Sequence, residues 1–67
     1  MNEHRISIGK QIMSIRQAKG ITQLELANAT GLDRANISKI ECGRYNVGID
    51  IIHKICDALG TRLEIVE

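Results

Sequence analysis

The chain lacks proline, tryptophan and phenylalanine, and Tyr45 is the only aromatic residue among 67. Without proline or a low-complexity tract, nothing in the sequence predicts a linker, and this length is near the lower limit for one domain with its own core. Two cysteines are too few for a disulfide framework or a Cys-rich zinc site. We therefore expect one domain with an aliphatic core, in a reducing cytoplasm, stabilised by a partner subunit.

Long apolar runs and catalytic patterns are also missing. Charged residues interrupt every stretch before it could span a membrane, and no signal peptide is visible. His4 and His53 lie far apart in the chain without an acidic or cysteine partner at ligand spacing, and Ser38 has no base near it. The sequence therefore predicts no membrane contact, no metal, no cofactor and no enzymatic activity.

The formal net charge of +1 is unevenly distributed. Residues 10–44 carry six basic and three acidic side chains, whereas residues 45–67 carry two basic and four acidic ones. With so few charges, chance explains this distribution as well as function does. The alternative is a mildly basic working surface in the middle of the chain and a different role for its end.

Apolar residues at helical spacing predict four helices. The first carries Ile8, Ile12 and Ile15 and ends near Lys19, with Gly20 as its stop. Its start is open: Asn2 or Ser7 is a candidate cap, and residues 5–8 are compatible with a short extended arm. A second helix runs to about Ala29, opened by a capping box in which the Thr22 and Glu25 side chains each accept from the other residue's backbone N–H.

The next two helices follow short turns. In the second helix, Leu24 and Ala27 are expected to face inward; after it, Gly31 supplies a turn and Leu32 fills the space before the third helix. Asp33 is expected to cap this third helix, residues 33–42, which buries Ile37 and Ile40 and stops at Gly43. A fourth helix covers about residues 49–59. Its predicted inward residues are Ile51, Ile52, Ile55, Cys56 and Leu59.

The last residues change period. Leu63 and Ile65 alternate with Arg62 and Glu64, and β-branched residues cluster, which predicts a strand over 61–66. A single strand leaves its backbone groups unpaired, and the same strand from a second copy is the simplest partner. This predicts a homodimer held by Leu63, Ile65 and Val66; the alternative is a tail that never becomes ordered.

Two helices joined by a tight turn containing glycine are typical of a helix-turn-helix, whose second helix enters the DNA major groove. With Ile37 and Ile40 inward, the outward side of the third helix consists mainly of short side chains. Such a side allows the helix axis to approach base edges closely. A plain solvated surface helix is the alternative. The outward and flanking residues are Arg34, Ala35, Asn36, Ser38, Lys39 and Cys42.

Residues 8–60 resemble the phage repressor/Cro-like helix-turn-helix family, also called the xenobiotic response element family. The resemblance rests on the segments IGKQIMSIRQAKGITQLELANATGLDRANISKIECGR and DALG. The ITQ-x-ELA start, the Gly31 turn, the ISKIE-x-GR end of the third helix and the ALG stop occur in order and at family spacing. Together these motifs are specific, although each alone is weak.

The resemblance implies a role for each matching residue. Base readers would be Arg34, which is able to fork onto a guanine, Ala35, which is able to touch a thymine methyl, and also Ser38 and Lys39. Residues that would bind the DNA backbone are Thr22, Gln23, Asn36, Arg44, Tyr45 and Asn46. Arg16 and Glu41 match a partly buried salt bridge that joins the first helix to the third, a structural role.

The chain departs from the family pattern in three places. The loop YNVG has no proline before the fourth helix, and the predicted strand replaces a fifth helix that some phage repressors use for dimerisation. Cys42 stands where a polar residue is common; an exposed thiol there would connect oxidation to DNA release. Similar strand endings occur in small family members that include regulators and antitoxins.

These observations predict an all-α fold, a four-helix repressor-like helix-turn-helix domain over residues 1–60, with a dimerising strand over 61–67. The expected partners are double-stranded DNA and a second copy of the chain. The expected function is a sequence-specific transcriptional regulator, a repressor that reads a near-palindromic operator through the helix 33–42. The alternative is an antitoxin that also binds a toxin or another regulatory protein.

Overall fold

The computed structural model describes residues 3–62, which form four α-helices and no strand within that range. The helices are α1 (Glu3–Ala18), α2 (Gln23–Thr30), α3 (Arg34–Glu41) and α4 (Ile49–Ala58). Helix α3 packs against both α1 and α2, and α2 also packs against α4. The predicted all-α, four-helix architecture is therefore confirmed.

The core is aliphatic, as the shortage of aromatic residues predicted. Ile55 is fully buried, and Leu26 and Ile37 are each 1% exposed. Ile8, Ile15 and Leu32 are partly buried and pack around this centre. The buried apolar cluster consists of Ile12, Leu26, Ala27, Ile37, Ile40, Ile52, Ile55, Cys56 and Leu59.

The capping box at the start of α2 is present. The Glu25 N–H donates to Thr22 Oγ1 at 3.1 Å, and the Thr22 N–H donates to Glu25 Oε1 at 3.0 Å. The hydrogen bond from the Thr22 backbone lowers the pKa of the Glu25 carboxyl, because it stabilises the ionised form. Two otherwise unpaired backbone donors are thus satisfied at the end of α2 that begins the helix-turn-helix.

Two local predictions were wrong. Residues 5–8 are helical, so neither an extended arm nor a cap at Ser7 exists, and α1 is already formed at Glu3. Leu24 is 56% exposed, because Leu26, Ala27 and Thr30 form the buried stripe of α2 and Leu24 lies to the side of it.

The prediction that Asp33 caps α3 is confirmed for its position but not for its side-chain hydrogen bond. This residue occupies the N-cap position of α3 with extended backbone, but its side chain accepts no capping hydrogen bond.

Two further predictions concern residues at the ends of the chain. Thr61 and Arg62, which begin the predicted strand, are not in regular secondary structure. The rest of that strand, with Leu63, Ile65 and Val66, lies outside the described residues, as does the candidate cap Asn2.

Candidate nucleic-acid interface

The turn between α2 and α3 determines how α3 is presented. Gly31 has φ 73°, a left-handed conformation that suits glycine, and its N–H donates to the carbonyl oxygen of Ala27. The Leu32 N–H also donates to Ala27 O, at 3.1 Å, and the Leu32 side chain packs against the core. Backbone hydrogen bonds and a core contact therefore fix the direction in which the chain enters α3.

Helix α3 has a buried side and a side turned to solvent. Ile37 and Ile40 are buried, and so is Glu41 at its end. On the opposite side Arg34, Ala35, Lys39 and Cys42 are exposed and Ser38 is half-buried; we call these five residues the recognition face. The structure thus places the four predicted base-reading residues together on one accessible side of one helix.

The predicted backbone-binding residues lie at three places in the structure. Asn36 is half-buried on α3 itself. Thr22 and Gln23 are at the start of α2, and Arg44, Tyr45 and Asn46 are exposed in the loop that follows α3. Polar and cationic side chains are suited to phosphate oxygens, and the first turn of a helix adds unpaired N–H groups that favour anions.

Two hydrogen bonds join these backbone-binding groups to the end of α3. The Gln23 side chain donates from Nε2 to Glu41 Oε1 at 3.0 Å. The Arg44 backbone N–H donates to the Lys39 carbonyl oxygen at 2.9 Å. The start of α2 and the loop after α3 are therefore each tied to the C-terminal end of α3.

A buried ion pair supports this end of α3 from α1. Arg16 Nε donates to Glu41 Oε2 at 2.7 Å and Arg16 Nη2 donates to Glu41 Oε1 at 3.1 Å, a two-point contact. Arg16 Nη1 also donates to the Ile21 carbonyl oxygen at 2.8 Å. The hydrogen bond to Glu41 raises the pKa of Arg16 and outweighs the opposite effect of burial. Both side chains are almost fully buried, and the pair holds three segments of the chain together.

Two parts of this arrangement did not follow from the sequence analysis. One is the hydrogen bond between Gln23 and Glu41. The sequence predicts only a phosphate contact for Gln23. The other is Gly9, which is buried within α1 against the backbone of Ile40 and Glu41. A glycine inside a helical pattern is a signal of close packing, and it could have been recognised.

Histidines and acidic groups form no metal site in the part of the chain that the structure describes. No group of three or more His, Cys, Asp or Glu side chains within residues 3–62 is placed to hold a metal ion. His4 and His53 are both exposed. Over the same residues, no helix combines the length and apolarity needed to cross a bilayer.

Comparison with known proteins gives a consistent result. Residues 12–66 match the family model described as Helix-turn-helix. The chain is 30% identical over 61 residues to the immunity repressor protein of Bacillus phage phi105, covering 91% of this chain and 42% of that protein. It is 41% identical over 49 residues to the antitoxin PezA of Streptococcus pneumoniae, covering 73% of this chain and 31% of that protein.

A solved structure extends the comparison to three dimensions. The crystal structure of the restriction-modification controller protein C.AhdI from Aeromonas hydrophila superimposes with a TM-score of 0.87 and 33% identity. The match covers 91% of this chain and 92% of that one. The chain therefore spans less than half the length of the two relatives above, but nearly all of the controller protein.

Proposed function

This chain belongs to the helix-turn-helix family of DNA-binding regulators, and we propose that it regulates transcription by reading a near-palindromic operator as a homodimer. The observation that carries the proposal is the recognition face. Its small residues Ala35 and Ser38 lie on the accessible side of α3, with the longer Arg34 and Lys39 beside them. A helix in the major groove requires small side chains, which let it approach the base edges, and a few long side chains that donate hydrogen bonds to bases. A helix that only faces solvent requires neither.

Sequence preference would come from the recognition face. Arg34 is able to donate two hydrogen bonds to O6 and N7 of a guanine, and the Ala35 methyl to contact a thymine methyl. Ser38 and Lys39 would reach neighbouring bases. Phosphate contacts from Thr22, Gln23, Asn36, Arg44, Tyr45 and Asn46 would fix the register, and they would make affinity fall steeply with salt.

The homodimer is proposed from the sequence of residues 61–67. Leu63, Ile65 and Val66 would pair with the same residues of a second copy, and the pairing would place two α3 helices on one face of the DNA. Half-sites about 34 Å apart, one turn of the duplex, would then be read in successive major grooves.

Selection of binding sites from a random duplex library, at near-physiological salt, tests the proposal. Enrichment of a two-fold site with half-sites about one turn apart is the expected result. Enrichment of a single half-site would retain α3 as the recognition helix and contradict the dimer. No enrichment would contradict DNA reading as the function, whatever the fold.

Arg34→Ala should relax base preference at one position in each half-site and weaken the selected operator by about 1–3 kcal/mol per contact. The matched variant is Arg44→Ala, which removes the same side chain from the loop after α3. It should weaken all duplexes alike and flatten the dependence of affinity on salt. Titration of labelled operator and scrambled duplexes at several salt concentrations separates the two effects. Equal losses on every duplex for both variants would refute the assignment of roles.

Deletion of residues 63–67 should convert the dimer into a monomer. The deletion retains Thr61, whose backbone N–H donates to the Cys56 carbonyl oxygen at 2.9 Å and closes the end of α4. Sedimentation equilibrium measures the oligomeric state. Glu64→Ser, on the opposite side of the proposed strand from Leu63 and Ile65, is the control and should remain dimeric. A dimer that survives the deletion would refute the strand as the dimer contact.

A second candidate function is suggested by one relative. The 41% identity to the antitoxin PezA supports a chain that binds a toxin protein as well as its own operator. The matched part is only 31% of that relative, so the match says nothing about the segment of PezA that binds its toxin. Co-purification with the product of an adjacent gene is the expected result for an antitoxin, and its absence under conditions where both are expressed would contradict it.

We propose no enzymatic activity. The relatives named above are a repressor, an antitoxin and a controller protein rather than enzymes. The residues that would act in the proposed function all serve binding, by hydrogen bonds and charge.

A further inference from the structure

The Gln23 side chain lies between the buried ion pair and the surface that the proposed function assigns to DNA. Its amide nitrogen is 3.0 Å from Glu41 Oε1, the same oxygen that accepts from Arg16 Nη2. Glu41 is only 4% exposed, whereas Gln23 is half-buried at the start of α2. One side of the amide therefore contacts the buried carboxylate, and the rest of it borders solvent.

The chemistry of the partners fixes which way this amide is turned. An ionised carboxylate only accepts hydrogen bonds, so the nitrogen of the Gln23 amide, and not its oxygen, must lie against Glu41. The two-point contact with Arg16 holds the Glu41 carboxylate in place. A side-chain amide has two N–H groups, and one of them is used here. Within residues 3–62 no acceptor takes the second N–H, which lies near the start of α2, where phosphate is expected.

We propose that the Arg16–Glu41 pair positions the Gln23 amide so that its second N–H donates to one DNA phosphate in each half-site. Glu41 is then a positioning residue for DNA binding, in addition to its role in joining α1 to α3. The carboxylate orients Gln23 before DNA arrives, and the hydrogen bond to the phosphate is formed without a search through side-chain rotamers. This inference rests on the proposed function, since it requires that the chain bind duplex DNA.

The experiment compares the selected operator with duplexes in which single phosphates are replaced by methylphosphonate, which removes the charge. For each phosphate, we define the phosphate ratio as the affinity for the unmodified operator divided by the affinity for the duplex with methylphosphonate at that position. A large phosphate ratio means that the protein binds that phosphate strongly. In the unaltered protein, one phosphate per half-site should show a large ratio because Gln23 binds it. Gln23→Ala should reduce the ratio at that phosphate by about tenfold, the magnitude of one charge-assisted hydrogen bond. Gln17→Ala, an exposed glutamine of α1, is the matched control and should leave every ratio unchanged.

Glu41→Gln is the decisive variant. Its single amide oxygen cannot serve Arg16 and Gln23 as the two carboxylate oxygens do, so the Gln23 amide loses its fixed orientation. The ratio at the same phosphate should fall by about as much as in Gln23→Ala, and the double variant should show no further fall. A general loss of folded protein or a change in net charge would alter binding at all phosphates alike. It would therefore not produce a fall in the ratio at one phosphate only. An unchanged or larger ratio at that phosphate in Glu41→Gln would overturn the proposal.

A measurement on the unaltered chain covers the case in which Glu41→Gln does not fold. In the free protein, one of the two side-chain amide protons of Gln23 should resonate downfield of the corresponding proton of the exposed Gln17 in nuclear magnetic resonance spectra, because it donates to Glu41. Addition of operator should shift mainly the other. If both Gln23 amide protons resonated at the positions of the exposed Gln17 amide in the free protein, the proposal would be overturned. Operator binding without these patterns would refute only the role of Glu41, whereas no operator binding at all would refute the proposed function itself.

Discussion

Glu41→Ala should lower the free energy of unfolding by about 3–5 kcal/mol, because it leaves the buried Arg16 guanidinium without its carboxylate. Arg16 is 8% exposed and Glu41 4%, so solvent cannot replace the lost partner. Arg16 would retain only the Ile21 carbonyl oxygen at 2.8 Å among its present acceptors. A domain of this length is stabilised by roughly 3–10 kcal/mol in total, so the variant should lose about a third or more of its stability. Urea denaturation followed by circular dichroism measures the change.

The double variant Arg16→Met, Glu41→Leu is the control for this prediction. Replacing both members of a buried pair by apolar residues of similar volume is often neutral or stabilising, so the double variant should regain most of the stability lost by Glu41→Ala. Its DNA binding should still be impaired at the phosphate assigned to Gln23. A loss of less than about 1 kcal/mol in Glu41→Ala, the level of a surface pair, would contradict the structural role of the ion pair.

Helix positions could be predicted because their signals are local. Each signal depends on only a few neighbouring residues: the apolar spacing, the capping box of Thr22 and Glu25, and the turn at Gly31. The structure has the capping box and the turn where the sequence predicts them. The error at Leu24 arose where tertiary packing decides, and the missing capping hydrogen bond of Asp33 where side-chain geometry decides. Leu24 has the composition of a core residue, but only the position of α3 and α4 determines which stripe of α2 is covered.

The candidate site was predictable in part. The outward side of α3 follows from burying Ile37 and Ile40, which is a matter of helical periodicity. The contact between Gln23 and Glu41 does not, because the two residues are 18 positions apart and belong to different helices. Only the three-dimensional arrangement shows that a residue expected to bind phosphate is also held by a buried carboxylate.

Gly9→Ala should destabilise the fold by about 3 kcal/mol, at the upper end for overpacking, although alanine is intrinsically the better helix former. A Cβ at this position would lie 2.6 Å from the carbonyl oxygen of Glu41 and closer still to that of Ile40. Both obstacles are backbone atoms at the end of α3, so no side-chain rotation relieves the contact. Helix α1 would have to move away from α3, which would also lengthen the hydrogen bonds between Arg16 and Glu41. Thermal and urea unfolding measure the loss.

The matched control for Gly9→Ala is Ser14→Ala, at an exposed position of the same helix. It also gains helix propensity, by less than Gly9→Ala, without meeting another element, so its stability should stay within about 0.5 kcal/mol of the unaltered chain. A Gly9→Ala variant as stable as this control would show that α1 and α3 are not in backbone contact at Gly9. The expected loss would instead show that the absence of a side chain at Gly9 allows α1 to approach close enough for Arg16 to reach Glu41, and thereby sets the position of the recognition face.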